Sequence, residues 1–254
     1  MNPHHWPAEN LWQALEPLLP GLSIEIVPTI DSTNSELVRR ARAGAIEPIL
    51  LVAEQQSAGR GRLGRDWYSD ATPAGASLTF SLGLPYEPSD WSGLSLAVGL
   101  SIVQTLHPAL QLKWPNDIWW QGRKVGGILI ETVAASDQRY VVVGVGINVS
   151  YQPQQTVATP AAALQELRPG ISAAQTLAEI VPPIVETLLR FAQWGFTPLT
   201  SNFMQRDALF GQNVVCSNHI SGIAQGVDSN GALLVHTAEG VKVVNSSEVS
   251  VKPS

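Results

Sequence analysis

The stretch LQLKWPNDIWWQGRKVGGILIETVA (residues 110–134) contains three strand-like pieces in quick succession. Pro115-Asn116 separates the first piece from the second, and Gly122 separates the second from the third, which are turn signals of the kind found in hairpins. A fourth piece, RYVVVGVGINV (139–149), is rich in β-branched residues and interrupted by glycines. Strands joined by such short turns pair as antiparallel neighbours, so the sequence predicts a hairpin-rich central sheet.

Helical patterns flank this sheet on both sides in the chain. DSTNSELVRRARAG (31–44) predicts a helix in which Thr33 and Glu36 have capping-box spacing and Gly44 suits the position after the last turn. Residues 90–106 repeat their apolar positions at helical spacing, and so do residues 172–194. Pro182-Pro183 interrupts the latter segment, which predicts two helices there rather than one. These patterns favour an α+β fold with a mixed, hairpin-rich sheet flanked by helices over a doubly wound parallel sheet.

The last 45 or so residues differ in character, because five short strand-like pieces alternate with Gly, Asn, Asp and Ser. This pattern is typical of a small β-barrel of the SH3 type. A barrel of that size is marginal alone, so we expect it to pack on the first domain. The expected domains are a catalytic domain at 1–208 and a barrel domain at 209–254. Between them in the chain, 150–163 lacks an apolar period and is expected to be a long mobile loop.

Composition excludes several classes of protein. The 254 residues carry a net charge of −6 and have a pI near 5.3, which argues against a general nucleic-acid binder held by phosphate contacts. Cys216 is the single cysteine, so neither a disulfide framework nor a cysteine zinc site is expected. The N-terminal residues lack the pattern of a secretory signal, and no apolar run reaches membrane-spanning length. We therefore expect a soluble cytoplasmic protein.

The segment SAGRGRLGRDW (57–67) contains three glycines with the spacing of a dinucleotide-binding fingerprint. That fingerprint requires a helix to begin within the glycines, because the pyrophosphate rests on the helix N-terminus. Turn-forming residues follow here instead, so the dinucleotide interpretation fails. The segment also holds three of the chain's 15 basic residues within six positions, Arg60, Arg62 and Arg65. Guanidinium groups bind carboxylate or phosphate through paired hydrogen bonds, although a solvated basic loop has the same composition.

Other candidate positions are ambiguous when each is considered alone. Asn116 and Asp117 could merely build a turn, and Lys124 could decorate a hairpin. Paired glycines at 126–127 weaken an apolar strand unless something must approach its backbone closely. The N–H groups at the helix start near Ser32 suit either a cap or a polar ligand.

Four segments together resolve the ambiguity. DSTN (31–34), QQSAGRGRLGRDW (55–67), KWPNDIWWQGRKVGGILIE (113–131) and GVGINV (144–149), in this order and spacing, closely resemble biotin–protein ligases. The resemblance extends from about residue 26 to residue 252. It implies a class II synthetase/biotin ligase-like catalytic domain with a C-terminal SH3-like barrel.

The implied reaction has two steps. Biotin and ATP form biotinyl-5′-AMP and pyrophosphate, and a lysine of a biotin carboxyl carrier domain then takes the biotinyl group. The expected partners are ATP with Mg²⁺ and the carrier domain of acetyl-CoA carboxylase or another biotin-dependent carboxylase. A homodimer is a further family expectation.

The resemblance also implies roles for individual residues. Lys124 and Arg62 are the expected catalytic residues, and Asp117 is a possible Mg²⁺ ligand. The expected biotin-binding residues are Ser32, Thr33, Asn34, Gln56, Arg60, Gly61, Arg62, Lys124 and Gly127. The expected nucleotide-binding residues are Trp67, Lys113, Asn116, Asp117 and Asn148. The arginine segment is expected to be mobile until an anionic ligand orders it.

Two departures from the family pattern bear on function. Only about 25 residues precede the catalytic region, too few for the winged helix-turn-helix of bifunctional members, so we expect a monofunctional enzyme that does not bind DNA. Ala161-Ala162-Ala163-Leu164 stands where the family often has a Thr-Ser-Leu element. A lipoate–protein ligase and a non-catalytic biotin sensor or repressor remain as alternatives, and the R-G-R segment followed by K-W-P-N-D favours biotin.

Overall fold

The computed structural model describes residues 6–69, 75–135, 138–150, 160–245 and 251–253. The helices are α1 (Ala8–Leu15), α2 (Thr33–Arg42), α3 (Leu94–Leu106), α4 (Ala173–Trp194) and α5 (Thr200–Met204). The strands are β1 (Ser23–Ile30), β2 (Ile49–Arg60), β3 (Asp66–Ser69), β4 (Ser77–Pro85), β5 (Gln111–Lys113), β6 (Asp117–Trp120), β7 (Arg123–Ala135), β8 (Gln138–Asn148), β9 (Asn213–Cys216), β10 (Ser221–Val227), β11 (Leu233–Thr237), β12 (Gly240–Val244) and β13 (Val251–Pro253). Most of the segment expected to be a mobile loop, residues 151–159, lies outside the described residues.

The larger sheet has eight strands in the order β1-β2-β4-β8-β7-β6-β5, and β3 pairs with β2. Among the strand pairs that the structure describes in this sheet, β1 and β2 pair in parallel and the other pairs are antiparallel. Strands β5 to β8 are antiparallel neighbours in chain order, so the segment 110–149 forms the hairpin-rich part of the sheet. The turn residues of that segment predict this arrangement. The α+β fold class with a mixed central sheet is confirmed.

The two faces of this sheet are covered differently. On one face the odd-numbered apolar residues of β8, with their neighbours on β4 and β7, join α3 and α4 in the main hydrophobic core. On the opposite face α2 packs Leu37, Val38 and Ala41 against Val133 and Val142. Helix α2 covers this second face at the end where Val133 and Val142 lie. Towards the β6 end the strands bear glycines instead of apolar side chains, which leaves room for a site.

The N-cap of helix α2 is one residue earlier than the sequence predicts. Ser32 is the N-cap, and its hydroxyl accepts a hydrogen bond from the backbone N–H of Ser35 at 3.3 Å. The predicted capping box of Thr33 with Glu36 is therefore wrong, since Thr33 is already helical and its side chain turns to the sheet. Gly44 has φ +93° just after the helix, as predicted.

The prediction of two helices around the prolines is also wrong. Helix α4 runs unbroken from Ala173 to Trp194 with Pro182 and Pro183 inside it. Each proline removes one helical hydrogen bond. A continuous buried stripe, which includes Leu177, Ile180, Val181, Ile184, Val185, Leu188 and Phe191, outweighs that loss. The carbonyl groups left free belong to Ala178 and Glu179, which are only half-buried, so water can reach this side of the helix.

The C-terminal region forms the five strands that the sequence predicts. They make one antiparallel sheet in the order β12-β11-β10-β9-β13. This sheet is tied to the larger one by the fully buried Trp114, whose Nε1 donates to the carbonyl oxygen of Gly231 at 3.0 Å.

A second tie lies at the edge of the larger sheet. The N–H of Leu112 in β5 donates to the Arg206 carbonyl at 2.7 Å, and the Leu112 carbonyl accepts from the N–H of Ala208 at 2.9 Å. Residues 206–208 thus pair with the outermost strand of the sheet, just before the chain enters β9.

Candidate active site

The β6–β7 hairpin brings together one carboxylate and two lysines. Asp117 begins β6, and its Oδ1 lies 2.7 Å from Nζ of Lys124 on β7. Its Oδ2 lies 3.9 Å from Nζ of Lys113 at the end of β5. The Asp117 side chain is 14% exposed, so this cluster is sheltered from water, and its electrostatic interactions are stronger than at the surface.

Arg62 extends the cationic cluster from the arginine segment. Burial lowers the pKa of its guanidinium group, and the nearby carboxylate of Asp117 acts in the opposite direction. The half-buried guanidinium group still carries its charge at neutral pH, because arginine side chains stay protonated in proteins. The cluster therefore presents three cations and one anion, an arrangement that attracts an additional anion.

The arginine segment itself is a β-hairpin rather than an irregular loop. Strand β2 continues through the segment to Arg60, a short 3₁₀ turn follows at 62–64, and β3 returns alongside. Gly61 donates its N–H to the Arg65 carbonyl at 2.7 Å, and the exposed Leu63 has φ +57°. A left-handed conformation at a non-glycine residue is a strain often found at functional sites.

Three glycines form the floor of the site. Gly127 and Gly146 are direct partners on β7 and β8, and Gly144 lies two residues along β8 on the same face. A Cβ atom on Gly127 would lie 3.1 Å from Nζ of Lys124, on Gly146 2.4 Å from the Trp67 ring, and on Gly144 2.0 Å from Oδ1 of Asn34. The missing side chains therefore make room for three functional side chains.

Trp67 lies over this floor from β3. Its ring centroid is 5.9 Å from Nζ of Lys124, within cation–π range. Its Nε1 is buried and has no acceptor among the described residues. A buried indole N–H usually finds a partner, so this donor is available to a ligand.

Backbone contacts hold the start of β7 in place. Lys124 donates its N–H to the Pro160 carbonyl at 2.8 Å, and its own carbonyl accepts from the N–H of Ala162 at 2.9 Å. Asn148 donates its amide to the Lys124 carbonyl at 3.2 Å, and Asn116 donates its amide to the Ile128 carbonyl at 2.7 Å. In the structure both asparagine side chains brace the strands that carry the lysine.

A second polar group lies at the N-terminus of α2. Oε1 of Gln56 accepts from the N–H of Thr33 at 2.7 Å and from its hydroxyl at 3.1 Å. The fully buried Ser81 of β4 donates towards Oγ1 of Thr33 at 2.7 Å and Oδ1 of Asn34 at 2.6 Å. Such a chain of hydrogen bonds satisfies a buried polar pocket that could hold a neutral polar ligand.

Apart from Gly61, Asn116 and Asn148, the sequence-predicted residues thus separate into two groups on one face of the sheet. The group at α2 comprises Ser32, Thr33, Asn34, Gln56 and Arg60. The group at the β6–β7 hairpin comprises Arg62, Trp67, Lys113, Asp117, Lys124 and Gly127. The two arginines of the R-G-R motif fall into different groups, because Arg60 turns back towards Ser35 and Glu131.

Sequence reasoning missed four residues of the site, Ser81, Glu131, Gly144 and Gly146. A signal for them exists in the chain. SLTFSLGL and VVVGVGIN carry a polar residue or a glycine at alternate positions of an otherwise apolar strand, and Glu131 in ILIETVA lies an even number of residues after Gly127. Alternation with period two places such residues on the face opposite the core.

The described residues contain no group of three or more His, Cys, Asp or Glu side chains that could hold a metal ion. Within the same ranges, no helix has both the length and the hydropathy of a membrane span.

Two family models match the chain. The Biotin/lipoate A/B protein ligase family matches residues 27–148, and the Biotin protein ligase C terminal domain matches residues 215–252. The first match includes both groups of site residues, and the second lies within the five-stranded sheet.

Individual relatives agree with these matches. The chain is 33% identical to the bifunctional ligase/repressor BirA of Escherichia coli (strain K12), over 92% of this chain and 75% of that protein. It is 32% identical to the biotin–[acetyl-CoA-carboxylase] ligase of Mycobacterium tuberculosis, over 89% and 88% of the two chains. Among solved structures, the biotin protein ligase of Aquifex aeolicus in complex with biotin and ATP matches with a TM-score of 0.78 and 30% identity, over 91% and 99% of the two chains.

Proposed function

The chain belongs to the biotin protein ligase family, and from this membership we propose that it joins biotin to a lysine of a biotin carboxyl carrier domain by way of biotinyl-5′-AMP. Its activity as a biotin protein ligase follows from the family. The acceptor, the intermediate and the residue roles are the proposal. The observation that carries them is the sheltered cluster of Lys124, Arg62 and Lys113 around Asp117, beside the glycine floor.

In the first step, a biotin carboxylate oxygen attacks the α-phosphorus of ATP. A phosphorus–oxygen bond forms, the bond to the β-phosphate bridging oxygen breaks, and pyrophosphate leaves. A carboxylate and a polyanion repel each other, so fixed cations must offset this repulsion and the charge that develops on the phosphate. Lys124 and Arg62 supply those charges, and Lys113 faces the leaving phosphates.

Asp117 keeps the lysines in position before the substrates arrive. Its 2.7 Å contact fixes the Lys124 ammonium above Gly127, where a side chain would intrude at 3.1 Å. A charge that is already oriented needs no reorganisation during the reaction, which is the main advantage of a preorganised site.

In the second step, the acceptor lysine's amine attacks the acyl carbon of biotinyl-5′-AMP. A carbon–nitrogen bond forms, the bond between the acyl carbon and the phosphate oxygen breaks, and AMP leaves as the amine gives up its proton. The same cations stabilise the departing phosphate. The group at α2 holds the ureido ring, a neutral unit with two N–H donors and one carbonyl acceptor, through Ser32, Thr33 and Gln56.

Magnesium enters this proposal only together with ATP. Mg²⁺ usually binds one or two carboxylates along with substrate phosphates. Asp117 is the carboxylate in the described cluster, and its two oxygens face Lys124 and Lys113. The residues therefore fit an ion carried by the phosphates better than one held by the protein. When bound, the ion would neutralise phosphate charge.

Labelled biotin, ATP and a purified carrier domain test the proposal. We expect label in the carrier domain, no label when its target lysine is replaced by arginine, and exchange of pyrophosphate into ATP that requires biotin but no acceptor. Labelled lipoate in place of biotin serves as the matched control and should give no product. Transfer without biotin-dependent exchange would contradict the adenylate intermediate, and equal use of lipoate would contradict the substrate.

A further inference from the structure

Glu131 lies in the middle of β7, on the same face as Gly127 because residues 127, 129 and 131 alternate with the core-facing positions. Its side chain is 23% exposed. Glutamate is depleted in strands, and a partly buried carboxylate on a sheet face needs partners. Its partners connect the start of α2 to the arginine hairpin.

Each carboxylate oxygen of Glu131 serves a different donor. Oε2 accepts from Nδ2 of Asn34 at 3.0 Å, and Oε1 accepts from Nη2 of Arg60 at 3.1 Å. The other terminal nitrogen of Arg60 donates to Oγ of Ser35 at 3.2 Å. Glu131 and the start of α2 thus hold the last residue of β2, from which the arginine hairpin projects.

The contact with Asn34 also fixes the direction of a buried amide. Nδ2 of Asn34 donates both to Glu131 and to the Leu129 carbonyl at 3.2 Å, and these two partners can only accept. Oδ1 must therefore point the other way, into the space that Gly144 leaves, where Ser81 donates to it. The hydroxyl of Ser81 has one proton and can donate only one hydrogen bond. Because it donates that bond to Asn34, Oγ1 of Thr33 remains free to accept a hydrogen bond from an N–H of the ligand.

We propose that Glu131 is a positioning residue that couples the ureido-binding pocket to the arginine hairpin. One oxygen orients Asn34, and with it Ser81 and Thr33, while the other holds Arg60 so that the hairpin stays against the pocket. The inference rests on the proposed function, because it assigns the pocket to biotin.

A purely stabilising role predicts a different outcome. The Arg60 side chain is 48% exposed, and an ion pair at that exposure contributes little to folding stability. If the pair serves only stability, its removal leaves biotin binding unchanged. If it holds the hairpin against the ligand, its removal weakens biotin binding while the protein stays folded.

Glutamine at position 131 separates the two contacts. Its amide has one acceptor oxygen and cannot accept from both donors. Asn34 is buried and Arg60 can turn to water, so the oxygen stays with Asn34 and Arg60 is released. Glu131→Met has similar size and removes both acceptors, so it also leaves the Asn34 amide without its partner.

The experiment measures KM for biotin, KM for ATP, kcat and biotin dissociation in the full chain. The variants are Glu131→Gln, Arg60→Met, their double variant and Glu131→Met. Glu25→Gln is the control, because it removes a carboxylate that pairs with Arg40 at 2.9 Å outside the site. We expect Glu131→Gln and Arg60→Met each to raise KM for biotin about tenfold, the effect of losing one charge-assisted hydrogen bond. KM for ATP and kcat should change much less than KM for biotin, since neither residue touches the cluster at Lys124 and only Arg62 links the hairpin to that cluster.

The double variant is the sharpest test, because residues that act through one contact are not additive. We expect it to match the single variants and Glu131→Met to bind biotin more weakly than all of them. An additive double variant, an unchanged KM for biotin, or a fall in kcat alone would overturn the inference. A wild-type protein that does not ligate biotin would overturn the proposed function and this role with it, whereas an active wild type beside an unaffected Glu131→Gln variant overturns this role alone.

Discussion

The ammonium of Lys124 and the carboxylate of Asp117 lie 2.7 Å apart across the β6–β7 hairpin, with only the bare backbone of Gly127 beneath them. Both residues belong to hydrogen-bonded strands and not to a loop. Its geometry is therefore fixed by the sheet, and its removal should affect the chemistry more than the fold.

Replacing Lys124 with alanine should slow biotin-dependent pyrophosphate release by about 10²–10³-fold, the usual loss when one preorganised charged contact is removed. The Lys124 side chain is 29% exposed and lies outside the hydrophobic core, so the circular dichroism spectrum and the melting temperature should change little. Lys242→Ala, which removes an exposed lysine paired with Glu239, is the control. Near-normal pyrophosphate release by the Lys124 variant would show that the catalytic assignment is wrong.

Replacing Arg62 with glycine should release biotinyl-5′-AMP faster and cause labelling of bystander lysines. Arg62 comes from the hairpin, whereas Lys124 comes from the sheet and can still support adenylate formation. Arg65→Gly is the matched control, because it gives the same hairpin the same added backbone freedom. Equal bystander labelling by the two variants would mean that hairpin flexibility, and not the Arg62 charge, retains the intermediate.

Biotin should slow tryptic cleavage after Arg62 and Arg65. Strand β3 of the hairpin pairs with β2 and with no other described strand, and the turn contains the exposed, left-handed Leu63. A ligand anion would fix the arginines and reduce local opening. Cleavage at Arg206, outside the hairpin, gives the reference rate. Equally slow cleavage at the hairpin without biotin would show that the hairpin is already fixed.

Asp207 should make the protein less stable as the pH rises. Burial raises its pKa from the usual 3.8 to about 6, and its Oδ2 has no partner among the described residues. The folded state therefore binds the proton more tightly, so this contribution to stability is complete below pH 3.8 and is lost by about pH 6.

The Asp207→Asn variant isolates this effect. Relative to wild type, its unfolding free energy should rise by on the order of 2–3 kcal/mol between about pH 3.5 and about pH 8. The carboxylates of Asp31, Glu36 and Glu166 have lowered pKa values and titrate in the opposite sense, but they do so in both proteins. Urea titrations at several pH values measure the difference, and a constant difference would contradict the prediction.

The sequence predicted most of the elements because their signals are local. The four hairpin strands, the C-terminal strands and the C-terminal end of α2 follow from turn residues and apolar spacing within about 20 residues. Pro182 and Pro183 wrongly predict a break in the helix, because tertiary packing along α4 outweighs the local tendency of proline to end a helix. The turn residues of the arginine segment predict a loop, but the segment forms a hairpin because β2 extends past its buried part.

The site was harder to predict than the fold for a topological reason. Lys124 and Asp117 are seven residues apart in one sequence motif, which predicts both of them. Glu131 and Asn34, in contrast, meet because α2 packs across the distant strand β7. Sequence order does not specify which strands share a face. The different orientations of Arg60 and Arg62, two residues apart, likewise depend on partners from other strands.

The pairing of Leu112 with residues 206 and 208 has a consequence for synthesis of the protein. Chain elongation delivers β5 nearly a hundred residues before the segment that covers it. Until then the outermost strand presents unpaired backbone groups, which are a template for association with other chains. Truncation ahead of residue 206 should therefore yield a catalytic sheet that aggregates, even though every residue assigned to biotin or ATP is still present.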